Sequence, residues 1–63
     1  MNFKTNIKRI RLEDNLSIRE FALKLNVAEN SIRNWEAGIT SPTIDSIIKI
    51  KHRFDVKYED LLD

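Results

Sequence analysis

The sequence predicts an all-α fold, a compact bundle of five short helices formed by one domain over residues 1–63. Two observations carry this prediction. Apolar residues recur three and four positions apart through most of the chain, which is the helical period. The chain has one glycine and one proline, Gly38 and Pro42, and because they lie close together a single break divides an otherwise helix-forming chain.

Spacing and one capping motif predict the first two helices. Helix 1 is predicted over residues 3–14 from apolar residues at helical spacing: Phe3, Ile7 and Ile10. Helix 2 begins at Ser17, whose hydroxyl can cap the helix while the Glu20 side chain reaches back to the backbone, the arrangement called a capping box. Its inward positions are Ile18, Phe21, Ala22 and Leu25. Asn26 ends the helix, because Asn accepts the left-handed conformation.

The remaining three helices follow from capping residues and apolar spacing. Helix 3 is predicted over residues 28–37 and stops at Gly38. Thr43 caps helix 4, which continues to Phe54. The apolar positions of helix 4 are Ile44, Ile47, Ile48 and Ile50. A short fifth helix over residues 58–62 completes the bundle.

Length and composition exclude several classes of protein. A chain of about 60 residues buries only roughly 60% of the surface that it exposes when unfolded, so a substrate-enclosing cavity is not expected. No spacing of Ser, His and Asp indicates nucleophilic catalysis, and no glycine-rich phosphate loop occurs. His52 has no cysteine or second histidine with which to hold a metal. We therefore expect no enzyme, no metal, no cofactor and no small-molecule substrate.

The sequence also indicates where the protein works. It contains no cysteine, which fits a reducing cytoplasm. The longest apolar run covers residues 21–23, far short of the ~18 residues of a membrane span, and no secretory signal is evident. We expect a soluble cytoplasmic protein without a membrane partner. The net charge of +1 neither demands nor excludes a polyanion, although the local net charge is +2 over residues 1–16 and −1 over residues 39–63.

Helices 2 and 3 are joined by a very short connection at Asn26 and Val27. Such a connection forces the two helices to cross steeply, and Ala22 supplies the small side chain that a close crossing needs. The segment from Ser17 to Glu36 therefore has helix-turn-helix geometry.

The outer side of helix 3 carries the candidate recognition residues. With Ile32 directed at the core, Asn30, Arg33 and Asn34 fall on the outer side, together with Ala37. Asn can pair with adenine, Arg with guanine, and Ala can contact a thymine methyl group, as in a helix that reads the major groove. The alternative is a solvated surface helix. Trp35 lies towards the core, where we expect it to pack.

At this point the sequence resembles the phage-repressor and Cro-like (lambda repressor-like, XRE-type) helix-turn-helix domains, from about Asn6 to Leu62. The resemblance is carried by the run from Ile32 to Gly38 and by residues at ordered spacings around it: Phe21, Ala22, Leu25, Val27, Pro42, Ile47, Ile50, Phe54, Val56 and Leu61. It implies a five-helix bundle that binds double-stranded DNA, often as a homodimer on a palindromic site, and regulates transcription. It also implies that helix 3 enters the major groove.

The resemblance and the charges nominate three sets of residues. The resemblance nominates base-reading residues: Ala28, Glu29, Asn30, Arg33 and Asn34. Phosphate contacts are expected from exposed cations and from the start of helix 2: Lys4, Lys8, Arg9, Ser17, Ile18, Arg19 and Lys24. The resemblance also pairs Arg11 with Glu36, and since Glu36 faces the core its carboxylate needs a partner. We expect this pair to be structural.

The chain departs from the family pattern at several positions. Ile18 replaces the usual Gln, Ala28 replaces a capping Ser or Thr, and the usually basic loop before the proline is neutral at residues 39–41. Glu29 either accepts a hydrogen bond from cytosine N4 or forms an ion pair with Arg33. These departures concern affinity more than fold.

The sequence thus predicts a sequence-specific DNA-binding transcriptional regulator, a repressor that reads the major groove with helix 3. We expect a homodimer, with Ile48, Tyr58 and Leu62 as apolar residues available for self-association. The alternative is a protein–protein interaction module on the same fold with lost or weak DNA binding. The basic, amphipathic helix 4 also suggests a membrane surface or a partner helix, although a core role is favoured.

Overall fold

The computed structural model describes residues 2–62, so Met1 and Asp63 of the predicted domain lie outside the described residues. The described chain contains five helices and no strand, which confirms the all-α prediction. The helices are α1 (Phe3–Glu13), α2 (Ile18–Leu25), α3 (Glu29–Ala37), α4 (Ile44–Phe54) and α5 (Tyr58–Leu62). α1 packs on α3 and α5, while α2 packs on α3 and α4.

A single apolar core holds the five helices together, and each helix contributes to it. Its buried members are Ile7, Ile10, Phe21, Ala22, Leu25, Ile32, Trp35, Ile50 and Leu61. Two aromatic pairs connect distant parts of the chain. The Phe21 and Phe54 rings have centroids 5.0 Å apart, and Phe3 meets Trp35 edge-on at 6.5 Å. Trp35 therefore packs in the core, as predicted, and each ring pair stabilises the fold by about 0.5–1.5 kcal/mol.

α2 has the predicted start and end. Glu20 N donates to Ser17 Oγ at 3.1 Å, and Ser17 N donates to Glu20 Oε1 at 2.9 Å, which completes the capping box. The hydrogen bond from the Ser17 amide, followed by that from its hydroxyl, lowers the pKa of Glu20. At the other end Asn26 adopts the left-handed conformation at φ 56°, and Val27 N donates to Ala22 O at 3.0 Å. This closure produces the tight corner before α3.

The predicted bounds of helices 1 and 3 agree with the structure to within one residue. α1 ends at Glu13, because Asp14 leaves the helical conformation and Asn15 turns left-handed at φ 57°. Ala28 is the N-cap of α3, with an extended backbone at ψ 145°, and so occupies the position where the family pattern has a capping Ser or Thr. Its methyl group cannot cap, so α3 starts without a side-chain hydrogen bond.

Gly38 ends α3 in a conformation that favours glycine, with φ 76°. A Cβ at this position would also lie 3.0 Å from Lys4 Cδ. The glycine therefore allows both the sharp stop of α3 and the close approach of α1. As a result, the Lys4 side chain lies beside the C-terminal end of the candidate recognition helix, where a cation is favoured.

Candidate nucleic-acid interface

The candidate recognition helix, α3, has one side in the core and one side in solvent. Ile32 and Trp35 are buried, whereas Ala28, Asn30 and Arg33 are exposed. The other two nominated residues, Glu29 and Asn34, are half-buried. With nine residues, α3 is about 13 Å long and presents a convex, hydrogen-bonding flank of the size that a B-DNA major groove admits.

α2 braces α3 from behind through Phe21, Ala22 and Leu25, which are all buried. Its N-terminus can contact an anion, because the backbone N–H groups of Ile18 and Arg19, the first in the helix, have no carbonyl within the helix to which they can donate. The Ile18 side chain packs against the core, so only its backbone is available for a phosphate. Arg19 is exposed beside it.

Glu29 and Arg33 form an ion pair on the flank of α3. Arg33 Nη1 donates to Glu29 Oε2 at 3.3 Å, and the two side chains are 56% and 42% exposed, respectively. An exposed pair of this spacing is worth only about 0.2–0.5 kcal/mol, so it can open readily. In the free protein it holds the Arg33 guanidinium along the helix surface next to Asn30.

Arg11 and Glu36 form a second, very different pair. Arg11 Nε donates to Glu36 Oε2 at 2.7 Å and Arg11 Nη2 donates to Glu36 Oε1 at 3.0 Å, while Arg11 Nη1 donates to Leu16 O at 2.8 Å. Both side chains are only about a tenth exposed. The hydrogen bond with Glu36 raises the pKa of Arg11 despite its burial. One guanidinium thus joins α1, α3 and the connection before α2, which orients the recognition helix.

The nominated phosphate-binding residues do not share one surface. Lys4, Lys8 and Arg9 line the same groove along α1. Arg9 is engaged there, because it donates to Glu13 Oε1 at 3.3 Å and to Asp60 O at 3.2 Å, which turns it towards α5. Lys24 instead lies in a groove between α2 and α4, away from the start of α2. Lys4, Lys8, Arg19 and the backbone amides at the start of α2 are therefore the groups that remain available for phosphates.

Several exposed apolar side chains are candidates for contacts with other molecules. Of the three predicted for self-association, Ile48 and Tyr58 are 37% and 43% exposed, and Leu62 is half-buried against the core. Sequence reasoning missed more strongly exposed residues: Leu12, Leu23, Ile39 and Ile44. Ile44 was predicted as an apolar position of helix 4, and it is exposed as the first residue of α4.

The fold and this exposed flank define a helix-turn-helix protein. The sequence model described as Helix-turn-helix matches residues 7–61, and the chain belongs to that family, in its XRE-type, lambda repressor-like and Cro-like form. Members of the family are DNA-binding regulatory domains and are not typically enzymes. Searches of curated proteins and of solved structures returned no match. Within residues 2–62, no helix has the length and apolar character needed to cross a membrane.

Proposed function

We propose that this helix-turn-helix protein is a cytoplasmic, sequence-specific repressor of transcription that inserts α3 into the major groove of double-stranded DNA. The observation that carries the proposal is the exposure of Asn30 and Arg33 on a helix whose opposite side is fixed in the core. Preorganised donors on a rigid element can discriminate bases, because little ordering is needed on binding.

Each nominated residue has a chemical role at the base edges. Asn30 pairs with adenine and Arg33 with guanine, each through two hydrogen bonds. Ala28 contacts a thymine methyl group, and Glu29 accepts a hydrogen bond from cytosine N4 when its pair with Arg33 opens. Asn34 is half-buried and reaches the groove only at its edge.

Phosphate contacts are few, so we propose that binding depends on dimerisation. Lys4, Lys8 and Arg19 are exposed and have no acidic partner among residues 2–62, and the α2 N-terminus adds backbone donors. Each neutralised phosphate contributes a slope of about −0.9 to the salt dependence of log K. Two half-sites about 34–36 Å apart would combine two such weak contacts. The exposed Tyr58 supports self-association.

Selection from a random pool of duplexes, followed by binding measurements with variants, tests this function. We expect an enriched palindrome. Asn30→Ala and Arg33→Ala should each cost about 1–3 kcal/mol on that site and relax preference at one base pair. Lys8→Ala should weaken binding to all sequences alike and reduce the slope of log K against log salt concentration by about 1. Lys57→Ala is the control and should change neither quantity. Equal losses on selected and random duplexes for all variants would refute base reading.

One observation favours a second candidate, a protein-interaction module that has lost DNA binding. Glu29 places a carboxylate on the recognition flank and occupies Arg33 in the free protein. Nuclear magnetic resonance titration with random duplex at low salt separates the two functions. Amide shifts along α3 and at the start of α2 support DNA binding, and no response anywhere supports the second candidate.

A further inference from the structure

A groove of about 590 Å³ lies on the surface between α2 and α4, and α3 contributes no residue to it. α2 contributes Leu23 and Lys24 to its walls, and α4 contributes Ile48, Lys49, His52 and Arg53. No acidic side chain among residues 2–62 lines it. The groove is therefore distinct from the recognition flank and has a composition of its own.

Two of its cations are unpaired. Lys24, Lys49 and Arg53 are exposed; Lys49 and Arg53 have no acidic partner among residues 2–62, whereas Lys24 interacts electrostatically with Glu20, one turn earlier on α2. By contrast, Arg9 and Arg33 each pair with a glutamate on their own helix. Because the whole chain carries a net charge of only +1, this cluster is a local concentration of positive charge.

Two apolar residues in the groove are exposed. Leu23 is 71% exposed in the last turn of α2, and Ile48 is 37% exposed across from it, whereas Leu25 is buried at the base of the groove. Ile44, one turn before Ile48 on the same face of α4, is 75% exposed. The basic last turn of α4 would be explained by the helix dipole alone, but the dipole does not explain an exposed Leu23.

We propose that the α2–α4 groove binds an acidic amphipathic segment of another protein. The apolar side chains of that segment would cover Leu23 and Ile48, and its carboxylates would approach Lys24, Lys49 and Arg53. A helix with apolar residues at every third and fourth position matches this pattern of an apolar centre and a basic rim.

Two other occupants fit less well. A DNA backbone is dominated by phosphates, and its deoxyribose carbons offer little apolar surface to cover Leu23 and Ile48. The acidic segment of a second copy, α5, presents Tyr58 as its exposed large apolar side chain, and the Lys51 ammonium already lies 5.3 Å from the centre of that ring. Asp60 is engaged as well, because its Oδ2 accepts from Lys57 N.

The test uses a fluorescent probe peptide of about 15 residues with Leu at every third and fourth position and Glu elsewhere, and a companion with Gln in place of Glu. We expect saturable binding of the acidic probe, with amide shifts at residues 23–26 and 48–53, and affinity that falls as salt rises. The companion should bind at least about tenfold more weakly.

Matched variants locate the site. Lys49→Glu and Ile48→Ser should each weaken the probe about tenfold or more. Lys57→Glu and Ile39→Ser make the same chemical changes at exposed residues outside the groove and should leave binding unchanged. Fluorescence of the buried Trp35 shows whether each variant is folded.

Three results would overturn the proposal. Absence of saturable binding, or an equal loss of probe affinity in groove and control variants, would show that the groove does not bind the acidic segment. Competition between probe and duplex DNA, together with weaker DNA binding by Lys49→Glu, assigns the groove to the DNA interface. Loss of a homodimer in Lys49→Glu by sedimentation, without any probe binding, assigns it to a second copy of the chain.

Discussion

Breaking the Arg11–Glu36 pair tests how the recognition helix is held. The perturbation is Arg11→Met, Glu36→Leu and the double variant. Glu36→Leu leaves the Arg11 guanidinium in a site about a tenth exposed, with only Leu16 O as an acceptor. Arg11→Met leaves the Glu36 carboxylate and Leu16 O without their donor. The double variant removes both charges and keeps a similar volume of side chain.

The expected magnitude follows from this geometry. Glu36→Leu loses two charge-assisted hydrogen bonds and Arg11→Met loses three, and each leaves one largely buried charge unpaired, for a cost of about 3–5 kcal/mol. A domain of this size has a free energy of unfolding of about 3–9 kcal/mol, so each single variant lies close to unfolding. The double variant should be less destabilised than either single variant, because burying two charges is itself costly, and the hydrogen bond to Leu16 O is then the one lost without compensation.

Urea unfolding followed by the fluorescence of Trp35, the single tryptophan, measures these changes. Trp35 is one residue from Glu36 and 5% exposed, so it reports on the surroundings of the pair. DNA affinity should follow the folded fraction and show no separate loss. The coupling free energy from the double-mutant cycle should be at least about 2 kcal/mol.

The exposed pair Arg9–Glu13 serves as the control, since Glu13→Gln should cost less than about 1 kcal/mol. Added salt should reduce that small contribution and leave the Arg11–Glu36 coupling nearly unchanged. The reasoning fails if the single Arg11 and Glu36 variants also lose less than about 1 kcal/mol. It fails equally if the double variant loses the sum of the two single losses.

Three further predictions concern helix ends. Ala28→Ser should raise the free energy of unfolding by about 1 kcal/mol, because the extended Ala28 is positioned as an N-cap but has no acceptor. Gly38→Ala should lower it by about 1–2 kcal/mol, since φ is 76° and the new methyl group would press on Lys4. The pKa of Glu20 is lowered in the folded state, so its ionised carboxylate stabilises the fold above the unfolded pKa of about 4.3. This stabilisation is lost as pH falls through the folded pKa. The free energy of unfolding of Glu20→Gln should therefore decrease less steeply with falling pH than that of the parent.

Urea unfolding checks all three, the last as a series in pH. Ala37→Ser, the same change at an exposed position within α3, is the control for Ala28→Ser and should not stabilise the protein. Unchanged stability in Ala28→Ser or Gly38→Ala would show that these ends rearrange. An acid-side slope equal to that of the parent in Glu20→Gln would contradict the role of the capping box.

The fold was largely predictable because most helix ends are determined by residues at or next to the end itself. Ser17 and Thr43 cap through their own hydroxyls, and Asn26 and Gly38 adopt left-handed conformations. These interactions span only a few residues, so the sequence alone reveals them. The start of α3 has no such local signal, because Ala28 occupies the N-cap position without a side-chain acceptor.

The candidate site was less predictable, since it depends on contacts between distant residues. A helical wheel separates Asn30 and Arg33 from the core, and the structure agrees with that separation. It cannot show that Arg9 turns towards Asp60, 51 positions away. Likewise, the neighbourhood of Lys24 and Lys49 exists only because α2 packs on α4.

The division of α3 into a buried side and a solvent side has a consequence for engineering. Asn30 and Arg33 contribute nothing to the core, so a library randomised at these two positions should consist mostly of folded proteins. Under the proposed function, new operator preferences could then be selected without rebuilding the scaffold. The same independence would let natural variants drift to new targets by exchanging a few surface side chains.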